Sequence, residues 1–225
     1  MEKKILIGGP AELSIDSLLS GLHMKREHKL YGRIEEMYLE AAKIARPAAL
    51  YAAFAPELSG GAVRINGVVI EEPFVYKMIS DCGTVIPYVA TCGLELDEWS
   101  RQFADNMFEQ FTADALKELY LSAVRKKLTN EVQGKYFEAD KSISTINPGS
   151  LNEQWPISGQ APLFKILGGV TGDIGVVLKE SMLMMPTKSV SGIIFQTDTE
   201  YHNCQLCPRE DCPSRRAPYD EDAVN

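Results

Sequence analysis

Apolar residues recur along the chain with two different periods, and the switches between them mark the elements. "KKILIGG" at 3–9 has the composition of a strand. From Asp16 to about Leu30 the pattern is loosely helical, and "YGRIEEMYLEAAKIA" follows as a clearer amphipathic helix, with Ile34, Met37, Ala41 and Ile44 at helical spacing. In "AVRINGVVI" two β-rich runs flank Asn66-Gly67, the pair that most easily adopts the two positive φ values of a type I′ hairpin. "TVIPYVATCG" reads as a strand closed by Gly93, and "DEWSRQF" opens a helical region. The longest helix is expected from Asn106 to about Val132, with Met107, Phe111, Ala115, Leu119, Ala123 and Val124 as its apolar stripe.

The last third changes character. "STINPGSLNEQWPISGQAP" is expected to be irregular, because its Pro and Gly residues recur at intervals that break a long helix or an inner strand. A short helix "APLFKILG" follows, then strand-like "IGVVLKES" and "SVSGIIFQT". Helices and strands alternate without the βαβ regularity of a parallel sheet. The fold class is therefore α+β, with helices flanking a twisted, antiparallel-rich sheet. No repeat, low-complexity block or linker divides the chain, so residues 1–225 are expected to form one domain with a cysteine-containing tail at about 202–225.

Composition narrows the function classes. A hydrophobic share of 45% supplies a sizeable core. The net charge of −8, with 23 basic against 31 acidic residues, opposes nucleic-acid binding and favours a protein or small-molecule partner. No apolar run reaches the roughly 18 residues of a membrane span, and the start does not resemble a secretory signal. A cytoplasmic location is expected, where thiols stay reduced. Cys204, Cys207 and Cys212, spaced C-x2-C-x4-C, then point to a metal or redox feature rather than a disulfide framework. His202 would complete a four-ligand zinc site, or the three thiolates would hold an iron–sulfur cluster; the alternative is a surface tail with free thiols. Cys82 and Cys92 sit alone in apolar segments and read as small buried hydrophobes. Dinucleotide, Walker and nucleophile-elbow motifs are missing, as is the D-x-H-x-x-G signature of cobalamin ligation.

One segment carries a family signature. The order Glu-Ser, apolar residues, Met-Met-Pro and then Ser-Val-Ser-Gly with a following aromatic, at 180–195, resembles the activation domain of cobalamin-dependent methionine synthase. "VATCGLELDEW", "ALKELYLSAVRKKL" and "NPGSLNEQWPISGQAPLFKIL" are similar to that family's turn, glutamate-bearing helix and Pro-Gly loop. The similarity is clear over about 85–201 and weaker in the N-terminal third. It implies a domain that binds S-adenosylmethionine and docks over a cobalamin domain in the inactive cob(II)alamin state. An electron from a donor such as flavodoxin or ferredoxin, together with the sulfonium methyl group, would then restore methylcobalamin. Cobalamin would be carried by a separate methionine synthase chain, since 225 residues leave no room for its other modules. Reactivation of another corrinoid methyltransferase, or non-catalytic docking on a cobalamin domain, remain as alternatives.

The resemblance also implies site residues. Glu118 matches the family's helix glutamate, suited to accept from an ammonium or ribose group, although an ordinary exposed glutamate fits the helix equally. Tyr201 matches a tyrosine after the Ser-Val-Ser-Gly strand, either packed on the ligand or a core aromatic. The family's Arg-x-x-x-Gly-Tyr loop becomes Thr145-Ile146-Asn147-Pro148-Gly149-Ser150, which keeps the glycine and loses the arginine and the tyrosine. A charge-assisted bond is worth about 1.5–3 kcal/mol, so weaker ligand affinity is expected. Gly149 is expected to admit a close backbone approach by the ligand. Trp155 either stacks on the ligand or anchors the loop on the core, and Gln160 offers an amide. Of Met182, Met184 and Met185, two are expected in a buried core strand, with an exposed docking set as the other reading.

Overall fold

The computed structural model describes residues 3–8, 13–150, 154–198, 203–206, 211, 215 and 217–220. In chain order these form β1 (Lys4–Ile7), α1 (Ile15–Gly21), α2 (Tyr31–Ile44), β2 (Ala48–Tyr51), β3 (Glu57–Ser59), β4 (Ala62–Ile65), β5 (Val68–Ile70) and α3 (Pro73–Ile79). Then come β6 (Val85–Thr91), α4 (Leu94–Ser100), α5 (Met107–Tyr136), β7 (Ser142–Ile146), α6 (Gln160–Leu167), α7 (Val170–Ile174), β8 (Val177–Leu178), β9 (Met184–Met185) and β10 (Ser189–Thr197). The main sheet has the order β1-β2-β6-β10-β7, and every neighbouring pair is antiparallel. The α+β class with an antiparallel-rich sheet is what the sequence indicated.

Alternation along the strands sorts side chains onto two faces. One face carries Tyr51, Ile86, Tyr88, Ala90, Val190 and Ile194, which pack with α1, α2 and α5. The other carries Leu50, Val85, Val89, Ile146, Ile193 and Phe195, sealed by α3, α6, α7, the β4–β5 hairpin and Trp155. The hairpin turns at Asn66-Gly67 with φ of 50° and 79°, the geometry that pair was expected to supply. Gly93 closes β6 at φ 98°, where a Cβ would lie 2.6 Å from the Arg46 carbonyl oxygen.

Four expectations need correction. Helix α1 stops at Gly21, and residues 22–30 form turns rather than more helix. The strand expected across "IGVVLKES" shrinks to Val177–Leu178, preceded by the single-turn helix α7 and by Gly175 at φ 72°. The irregular stretch begins later than expected, since Ser144, Thr145 and Ile146 belong to the edge strand β7. The methionines are not core: Met184 and Met185 are half-buried in the two-residue β9, and Met182 sits in a turn at φ 62°.

The stripe of α5 is also displaced. Met107 and Phe111 are exposed, at 86% and 56%, and the buried face runs through Ala113, Leu116, Tyr120, Val124, Leu128 and Val132. Apolar counting missed this face because it includes polar residues satisfied on the spot. Thr112 donates to the Phe108 carbonyl at 2.9 Å, and the Lys117 ammonium lies 3.6 Å from Asp97. A polar group satisfied in this way escapes most of the burial penalty.

Candidate functional site

The edge strand β7 ends at Ile146, opposite Ile193 of β10. From Ser189 to Gly192, β10 is paired with β6 alone among the described strands, and the chain leaving β7 turns at Asn147–Ser150 beside it. The result is a notch in the sheet edge. Asn147 clamps it, donating from Nδ2 to the Tyr88 hydroxyl at 2.9 Å and to the Ser191 carbonyl at 2.8 Å. The clamp fits only because residue 192 is glycine: a Cβ there would lie 2.4 Å from Asn147 Nδ2 and 2.5 Å from the Ile146 carbonyl oxygen. Clearance is thus the physical reason for the glycine of Ser-Val-Ser-Gly.

The loop below is pinned to the core. Gly149 has φ 81°, which favours glycine, and its N–H donates to the Trp155 carbonyl at 2.9 Å. Ser150 is exposed, and its N–H donates to the Asn147 carbonyl at 3.3 Å. Trp155 is fully buried, and a Cβ on Gly159 would meet its Nε1 at 2.1 Å. Of the two readings for Trp155, the anchoring one is found. Gln160 is buried as well, so it offers no amide to the open side.

Helix α5 forms the other wall. Lys188 continues the ladder of β10, its carbonyl accepting from the Cys92 N–H at 3.0 Å, and its side chain points to the α5 face like Val190 and Gly192. Its ammonium lies 3.0 Å from Asp114 and 3.7 Å from Glu118. Burial pulls the Lys188 pKa down, but the two carboxylates more than offset this and raise it, so the side chain is charged at neutral pH. Next to this cluster opens a cleft of about 610 Å³ between α4 and α5, bordered by Asp97, Arg101, Phe111, Asp114, Lys117 and Thr187. Burial holds the Cys92 thiol protonated, with a pKa of about 12, and raises that of Cys82 to about 11. Cys92 is the small buried hydrophobe expected, whereas Cys82 is half-buried and its thiol donates to the Gln196 carbonyl at 3.4 Å.

The candidates therefore converge unevenly. Asn147 and Glu118 reach β10 at Ser191 and at Lys188, three residues apart, or about 10 Å along a strand. Thr145 is half-buried on β7, paired with Ile194, and Gly149 and Ser150 complete the turn. Tyr201, His202, Cys207 and Cys212 lie outside the described residues. Cys204 is half-buried, and no group of three metal-capable side chains occurs among the described residues. Lys188 and Tyr88 were not anticipated. The strand period pairs Lys188 with α5, but only the register shows this.

Residues 74–216 match the family model described as "Vitamin B12 dependent methionine synthase, activation domain". The chain belongs to this family. The match includes α5, β7, the notch and β10, so the segment that carried the resemblance lies within it. Among solved structures, the MetH reactivation domain bound to AdoHcy is similar to this activation-domain chain. The TM-score is 0.70 over 90% of this chain and 81% of that one, at 15% sequence identity. At that identity the likeness speaks for the fold, and it extends into the N-terminal third where the sequence resemblance was weak. No curated protein matches the sequence. No helix among the described residues is long and apolar enough to cross a membrane.

Proposed function

We propose that this activation-domain chain binds S-adenosylmethionine in the notch between α5 and the start of β10. It would present the sulfonium methyl group to a reduced cobalamin on a separate methionine synthase chain. The observation that carries the reading is the family match across 74–216, which encloses the residues that build the notch. The AdoHcy on the similar solved domain supports the same ligand class.

The chemistry is a methyl transfer. A partner's cobalamin, once reduced by one electron from a donor such as flavodoxin or ferredoxin, would supply the nucleophile for the methyl carbon; the carbon–sulfur bond would break and S-adenosylhomocysteine would leave. The protein's task is to hold the sulfonium in line. Glu118 is exposed for contact with a cationic or hydroxyl group, while Thr145, Asn147, Gly149 and Ser150 shape the floor. Tyr201 would close the site. In the tail, Cys204, Cys207 and Cys212 would hold zinc or an iron–sulfur cluster, which metal analysis of anaerobically purified protein tests directly.

Calorimetric titration with S-adenosylmethionine tests the reading. Saturable binding at one site, competed by S-adenosylhomocysteine, is expected. A folded protein that binds neither ligand yet still binds a cobalamin domain would instead be a docking protein.

A further inference from the structure

An S-adenosyl ligand ends in a zwitterion, whose α-carboxylate needs a cation and whose α-ammonium needs an anion. The loop of the notch supplies no cation: from Ser142 to Gln160 the sequence contains neither lysine nor arginine. Across the notch, however, one cation stands beside two anions, Asp114 and Glu118. Lys188 and Glu118 are 3.7 Å apart, the first on the strand that floors the notch and the second on the helix that walls it. Both are accessible, with side-chain exposures of 28% and 56%. Lys188 shares its sheet face with Val190 and Gly192, so its stem stands in line with the Asn147 clamp, about 13 Å along the strand.

The geometry points to Lys188 and Glu118 as a matched pair of counter-charges for the amino-acid end of the ligand, the ammonium of Lys188 taking the carboxylate and the carboxylate of Glu118 taking the ammonium. This rests on the reading of the notch as the S-adenosylmethionine site. In the free protein Lys188 stands between two carboxylates, Asp114 at 3.0 Å and Glu118 at 3.7 Å, so the shorter pair holds the lysine in place and the longer one is the pair that can open. A ligand zwitterion inserts between Lys188 and Glu118 and replaces the longer of the lysine's two pairs with two complementary ones, while Asp114 stays beside the lysine. Such exposed pairs are weak in isolation, so the exchange is inexpensive. The pair also confers selectivity, because a ligand lacking either charge leaves one protein charge facing a neutral group.

The test compares S-adenosylmethionine with decarboxylated S-adenosylmethionine, which keeps the amine and the sulfonium and lacks the carboxylate. The unmodified protein should bind the decarboxylated form about tenfold more weakly, in line with loss of a charge-assisted contact. Lys188→Met should lower affinity for S-adenosylmethionine by about the same factor and leave the decarboxylated ligand nearly unchanged, a coupling that a purely structural role would not produce. Lys188→Arg should restore discrimination, and Glu118→Gln should weaken both ligands. Equal losses for both ligands in Lys188→Met, or none, would overturn the assignment while leaving the site reading intact. Failure of the unmodified protein to bind S-adenosylmethionine would overturn the site reading itself.

Discussion

Successive residues of β10 enter two opposite environments. Ser191, Ile193 and Phe195 face the side sealed by Trp155, α6 and α7, and all three are buried. Lys188 and Val190 face α5 and remain half-buried, beside charged side chains and an open cleft. The α5 face is buried too at Gly192 and Ile194, so only its end at Lys188 and Val190 is open to chemistry. On the sealed face a single added carbon has nowhere to go, as Gly159 against Trp155 shows. At the Lys188 end the ion pairs to Asp114 and Glu118 reach the surface.

The contrast can be broken from the sealed side first. Trp155→Ala empties the centre of that cluster and should cost about 3–5 kcal/mol, lowering the thermal midpoint sharply. A loss below about 1 kcal/mol in a chemical denaturation curve would mean that the loop is not anchored there. Gly192→Ala, on the buried stretch of the α5 face, should cost about 1–3 kcal/mol, because its Cβ meets the Ile146 backbone as well as the Asn147 amide. It should also displace Asn147 and weaken ligand binding beyond what the stability loss explains. Unchanged binding in the folded variant would remove the clamp from the site. Tyr120→Phe should have the smallest effect. The Tyr120 hydroxyl is buried on the α5 side with no hydrogen-bond partner among the described residues, so deleting it should be neutral or stabilising by up to about 1 kcal/mol. A clear destabilisation would reveal a partner for that hydroxyl.

Local chemistry made much of this legible in the sequence. The Asn66-Gly67 hairpin, the Gly93 stop and helix α2 follow from the preferences of a few adjacent residues, and each formed where expected. The Ser-Val-Ser-Gly segment pointed to the family although its physical reason, clearance for Asn147, is a contact across 44 residues that no local pattern displays. The buried face of α5 was misread because Thr112 and Lys117 look solvent-facing until their partners Phe108 and Asp97 are known. The methionines failed for the opposite reason. Their hydrophobicity suggested a core strand, but the turn at Met182 precedes a ladder of only two residues, in which Met184 and Met185 are half-buried. Lys188 was invisible because its role depends on which helix packs over its face of the sheet.

The proposed activity of this chain is the restoration of an inactive cobalamin with a methyl group from S-adenosylmethionine. The most direct measurement follows the absorption spectrum of a cob(II)alamin-loaded cobalamin domain in the presence of a low-potential electron donor and S-adenosylmethionine, with and without this chain. Conversion to the methylcobalamin spectrum should be faster with the chain present and should depend on S-adenosylmethionine. An identical rate in its absence would contradict the account.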